Sequence, residues 1–203
     1  MKKLIFPFAV AICFFATQKL NAQTLADAFS KSYTLESAGK YTEAADVIKA
    51  NYDEKSYEIN MRLGYLNYEA KQYAASSSYY LKAVTLMPYS IEAKFGYVLP
   101  LSSIDDWTKV TTQYQDILKI DPQNSKANYY LGLIYYNNKD YTNAHSCLEK
   151  VVNLFPFDYD GLILFAWTNF QMGKTTEAKA LFNKVMLLSP KDASATEGLA
   201  LIK

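Results

Sequence analysis

Few residues in this chain have the type and spacing that chemistry requires. His145 is the only histidine, so an imidazole general base would have to be this one, and its helical pattern sets it on the outer side of a helix as a surface residue. Beyond the N-terminal segment only Cys147 remains of the two cysteines. That excludes an internal disulfide and, with a single histidine, any metal site built on His or Cys pairs. Cys147 falls mid-helix and reads as a small, partly buried hydrophobe. Asp158-Tyr159-Asp160-Gly161 has the start of a calcium loop but lacks the third oxygen ligand and the closing glutamate, and helix capping accounts for its aspartates. Gly173-Lys174-Thr175 matches the end of a phosphate loop, yet the first glycine would have to stand where Thr168 is and no strand precedes it. No metal and no cofactor is expected, and without a histidine-oriented nucleophile the chain is not expected to be an enzyme.

Charge excludes a further class. The N-terminus has Lys2 and Lys3, an apolar run from Leu4 to Ala16, and the small-residue end Leu20-Asn21-Ala22, the layout of a cleavable signal peptide over residues 1–22. The run is short for a membrane span. Cys13 lies inside it without the small preceding residue or the position of a lipoprotein signal, so no lipid anchor is expected. Cleavage after Ala22 removes Lys2, Lys3 and Lys19 from the 21 basic residues, leaving the 20 acidic ones two in excess and Arg62 as the single arginine. A basic stripe for phosphate contacts is missing, so nucleic acid is not an expected partner. The predicted location is the periplasm or outside the cell, with no stable membrane insertion after cleavage.

The elements that position these residues follow a fixed period. Pro88, Pro122, Pro156 and Pro190 are spaced by 34 residues, which places four of the six prolines on one grid. Proline cannot donate the i to i−4 bond, so each ends a helix and sets the entry to the next. The clearest unit runs from Ser125 to Asp158, with amphipathic patterns at Ala127–Asn137 and Thr142–Leu154 around the polar turn Asn138-Lys139-Asp140. On the same grid lie small residues, Gly64, Gly132 and Ala166, then Ser76, Ala144 and Ala178, with Ala44 at the matching place of a first copy two residues short; they let two helices of a pair approach closely. Ile48, Tyr80, Tyr114, Leu148 and Phe182 recur as large residues that plug the gap between pairs. Pro100 is off the grid, inside a first helix, where it should bend or end that helix. No Gly/Ser linker interrupts the array, so one continuous solenoid is expected.

These columns resemble the tetratricopeptide repeat, whose signature stands here as Leu131, Gly132, Tyr135, Tyr141, Ala144, Leu148 and Pro156. The resemblance implies an all-α, right-handed α-solenoid of antiparallel helix pairs. It divides the chain into five repeats, 25–56, 57–90, 91–124, 125–158 and 159–192, and a C-terminal capping helix over 193–203 in which Ala195, Leu199 and Ile202 share a face. In this family the first helices line a concave groove. The groove positions map onto Phe29 and Tyr33, onto Met61, Tyr65 and Tyr68, and onto Phe95 and Leu99. Further along they map onto Tyr129, Leu133 and Tyr136, and onto Ile163, Trp167 and Phe170. Three- to four-residue spacing keeps each set on one helical stripe. Repeats that clamp the C-terminal carboxylate of heat-shock chaperones carry Lys and Asn where this chain has Phe29, Tyr33, Met61 and Tyr65, so an acidic chaperone tail is not an expected ligand.

The resemblance therefore points to a non-catalytic scaffold that holds a partner protein or an extended peptide in an aromatic groove. Stacked aromatic side chains also suit a saccharide or an amphipathic small ligand, which a deep closed pocket near Tyr136, Trp167 and Phe170 would favour. A structural subunit of an envelope assembly, using the convex face, is the other alternative.

Overall fold

The computed structural model describes residues 24–202, so the predicted signal peptide lies outside the described residues. Eleven helices and no strand are present among them. The first, α1, covers residues 24–37. It is followed by α2 (Tyr41–Lys49), α3 (Tyr57–Glu69), α4 (Tyr73–Leu86), α5 (Ile91–Ser103) and α6 (Trp107–Ile120). Then come α7 (Ser125–Asn137), α8 (Tyr141–Leu154), α9 (Tyr159–Gln171), α10 (Thr175–Leu188) and α11 (Ala193–Leu201). First helices from α3 onward start every 34 residues, and each grid proline stands two residues past the end of α4, α6, α8 or α10.

Capping sets these boundaries. Ser56, Ser90, Asn124, Asp158 and Asp192 each accept the backbone N–H three residues on, at 2.8 to 3.2 Å, and so satisfy a donor that an uncapped helix start leaves orphaned. The connections after α1, α3, α5, α7 and α9 each use a residue in the left-handed region: Gly39, Lys71, Asp105, Lys139 and Gly173 have φ between 58° and 74°. Only two of the five are glycine, so three turns carry the strain of a Cβ there.

The chain divides into two compact units at Asp105 and Asp106. One continuous array was expected, whereas this division separates α5 from α6. In the first unit α3 packs on α2, α4 and α5. Its core gathers Ala28, Ala44, Ala45, Ile48, Ile59, Leu63 and Leu66. In the second unit α6 packs on α7 and each later helix packs on the next, around Leu162, Ala166, Ala178, Phe182, Val185 and Ala195. Leu199 and Ile202 lie against this cluster, so α11 covers its last face.

Three local outcomes differ from or add to the sequence expectation. Pro100 does not end α5, which keeps the 13-residue length of α3, α7 and α9. Pro100 and Leu101 are buried, and that packing offsets the lost hydrogen bond. The plugs are all buried, but two of the glycines beneath them hold a ring as well as a helix. Tyr80 lies between α3 and α5, with a Cβ on Gly64 reaching 2.8 Å from its ring and one on Gly96 reaching 2.2 Å. His145 is half-buried instead of sitting out on the surface, because Phe165 of α9 covers its ring at 4.9 Å.

Candidate functional site

The stripe residues retain accessible surface. Eleven of the thirteen are half-buried, Tyr33 and Leu99 are exposed, and none is consumed in the core. In the first unit Phe29 and Tyr33 of α1 meet Met61 and Tyr65 of α3 around an open cavity of about 490 Å³. Tyr57 and Tyr80 add two further rings, and Glu58 and Glu92, from the first turns of α3 and α5, add two carboxylates. Tyr68 turns instead onto Tyr73 at 5.8 Å, and neither it nor Phe95 nor Leu99 lines this cavity.

One wall is built around Arg62, which is 7 % exposed. Its guanidinium donates from Nε and Nη2 to Ser32 Oγ, at 3.2 and 3.0 Å, and from Nη1 to Glu36. The Tyr33 ring covers it at 4.0 Å from the centroid, with Tyr65 at 5.9 Å. A buried cation thus has its charge paired, three of its five N–H donors bonded and one face covered. Burial pushes the Tyr65 phenol up to about 12, helped by its hydrogen bond to Glu36 and by that carboxylate's charge. Burial also raises Tyr57, whose hydroxyl lies 2.8 Å from Ser90 Oγ and 3.4 Å from Glu92. These rings therefore present neutral hydroxyls at physiological pH. Sequence reasoning assigned no part in this site to Arg62, Glu58 or Glu92; the signals were a sole arginine three residues before Tyr65 and glutamates one 34-residue period apart.

In the second unit the stripe residues separate. Tyr129 lines a cavity of about 370 Å³ with Tyr130, Phe155, Lys126, Asp158 and Asp160, at the α8–α9 junction. Tyr129 and Tyr130 meet edge-on at 5.3 Å, and Tyr130 stacks on Tyr114 at 5.7 Å. Tyr136 packs on Tyr141 at 5.6 Å and hydrogen-bonds Gln171. Leu133 is half-buried on the same helix. Ile163, Trp167 and Phe170 pack against the core that α11 seals. Trp167 meets Phe170 at 5.6 Å and Phe182 at 5.0 Å, and its indole N–H donates to Ser194 Oγ at 2.8 Å. Trp167 is thus engaged by protein side chains on two sides and held by its indole N–H.

The residues with catalytic potential are otherwise engaged. Lys174 Nζ donates to His145 Nε2 at 3.1 Å, and burial, with the Lys174 charge, pulls the imidazole below its usual pKa. Burial pushes the Cys147 thiol up, away from thiolate. Asp158 caps α9, as the spacing predicted. Among the described residues no group of three or more His, Cys, Asp or Glu is arranged to hold a metal ion, and no helix is long and apolar enough to cross a membrane.

Antiparallel helix pairs recurring every 34 residues, with a small residue and a large plug at fixed columns, define an all-α protein of the α-solenoid class. The fold is the one that tetratricopeptide-repeat proteins share. Residues 113–191 match the family described as anaphase-promoting complex, cyclosome, subunit 3, a stretch shorter than half of the chain. A tetratricopeptide repeat protein from Parabacteroides merdae superimposes with a TM-score of 0.75 at 19% identity, over 89% of this chain and 72% of that one. MamA from Desulfovibrio magneticus does so with a TM-score of 0.70 at 19% identity, over 84% and 97%. YrrB, described as a tetratricopeptide-repeat protein with an unusual peptide-binding site, gives 0.72 at 13% identity, over 91% and 96%. At these identities the likeness is one of fold. No curated protein matches the chain by sequence.

Proposed function

We propose that this chain is a non-catalytic interaction scaffold which, exported by its N-terminal signal, holds a partner protein or an extended peptide against the aromatic stripe. The observation that carries the proposal is the accessibility of that stripe: all thirteen positions keep exposed surface, and in the first unit four of them converge on one open cavity. Tyrosines supply large, rigid contact area with a polar tip, and packing has already paid most of their ordering cost. A shared fold with a peptide-binding repeat protein supports the same reading. The saccharide alternative loses ground near Trp167, where the rings are packed on Phe170 and Phe182.

Affinity capture from an envelope extract tests this, with the full-length chain as bait beside a Tyr33→Ser, Tyr65→Ser, Tyr129→Ser variant whose helicity is checked by circular dichroism. A partner retained by the first bait and lost from the second supports the groove. A partner held equally by both refutes it in favour of the convex face, and no retained protein favours a small ligand.

A further inference from the structure

We propose that the cavity of the first unit is a receptor for a cationic side chain, a lysine or arginine of the docked segment, held between Glu58 and Glu92 against the faces of Tyr57 and Tyr65. This rests on the stripe being a peptide-binding surface and names the chemistry that one part of it selects. Glu58 and Glu92 both line the cavity, and neither forms an ion pair among the described residues. The other two charged groups nearby cancel, because Glu36 is bound to the one cation of the wall, Arg62. The cavity therefore faces its occupant with two carboxylates outside any ion pair beside the Tyr57 and Tyr65 rings, a combination that attracts cations and disfavours a carboxylate.

Arg62 is an internal example of the same recognition, since a carboxylate holds its edge and the Tyr33 ring covers its face at 4.0 Å. The two glutamates are also oriented by neighbours. Ser56 Oγ donates to Glu58 at 3.0 Å, and the Tyr57 hydroxyl reaches Glu92 at 3.4 Å. The plainer role of Glu58 and Glu92, complementing the N-terminal dipoles of α3 and α5, requires no such convergence.

Panning a randomised decapeptide library on the immobilised full-length chain, followed by dissociation constants for the enriched peptides, tests the inference. The expected result is a lysine or arginine enriched at one column, with its replacement by Met weakening binding about tenfold. In a Glu58→Gln, Glu92→Gln variant that discrimination should vanish while the Met peptide binds as before, which also reports an intact groove. Enriched peptides without a basic column, or discrimination that survives in the double variant, overturn the inference and leave the groove standing. Enrichment of acidic termini, lost in Arg62→Met, overturns it in favour of an anion site. If the wild-type chain enriches no peptide, the groove itself fails and the inference falls with it.

Discussion

Gly96→Ala gives the sharpest test of how the first unit is packed, because two ordinary effects there have opposite signs. In an exposed helix the change stabilises by about 1 kcal/mol, since alanine loses less backbone entropy than glycine. Here the new Cβ would stand 2.2 Å from Tyr80 Cε1 and 2.8 Å from Cζ. The ring must retreat by more than 1 Å to reach ordinary contact. Retreat away from Gly96 is opposed by Gly64, whose own Cβ position is 2.8 Å from Cγ, and the ring is only 3 % exposed. Overpacking of this kind costs about 1–3 kcal/mol, so the net expectation is destabilisation of about 1–2 kcal/mol. Leucine has no atoms where Cε1 and Cζ lie, and it is the residue at the matching column of the second unit, Leu148 over Gly132. In a Tyr80→Leu background Gly96→Ala should therefore regain its usual sign and stabilise. Urea denaturation followed by far-ultraviolet circular dichroism on the four chains of the cycle measures this. A stabilising Gly96→Ala in the wild-type background would refute the intercalated ring.

Other substitutions probe the remaining features. Arg62→Met strands Glu36 and Ser32 and uncovers Tyr33, and should cost about 2–3 kcal/mol, discounted from a fully buried pair because Glu36 is 24% exposed; a loss under about 0.5 kcal/mol in the same urea assay would mean that the pair is ornamental to stability. Lys139→Gly relieves a φ of 61° and should stabilise by about 0.5–1 kcal/mol, whereas Gly173→Ala, at φ 74°, should destabilise by about 1 kcal/mol, both read as shifts of the urea midpoint. His145 is held neutral, its folded pKa depressed below the ordinary 6.5 first by burial and then by Lys174. Below 6.5 the unfolded chain binds the extra proton before the folded one does, so the stability this residue contributes is present above that pH and lost as pH falls. Melting temperature should drop from pH 7 to 5 in the wild type and drop less in His145→Gln, and equal slopes would contradict the assignment.

Much of the architecture was legible because its determinants are local. A cap three residues from its donor, a proline two residues past a helix end and a turn of fixed length act within a few residues of chain, so a 34-residue period in residue types became a 34-residue period in helices. The five caps from Ser56 to Asp192 and the plugs from Ile48 to Phe182 stand where the spacing puts them. The stripe positions, too, follow from helical spacing once the repeat is recognised.

Tertiary structure alone decided what each position faces. Arg62 finds Ser32 and Glu36 across 30 and 26 residues, Tyr80 enters between Gly64 and Gly96, and Trp167 spends its indole on Ser194. Helical periodicity assigns a side chain to a face but cannot say which neighbour arrives there, how close it comes or which charge it brings. The conversion of a uniform aromatic stripe into one shared cavity in the first unit and into separate half-buried aromatic contacts in the second depends on those encounters, and they exist only once the helices have packed.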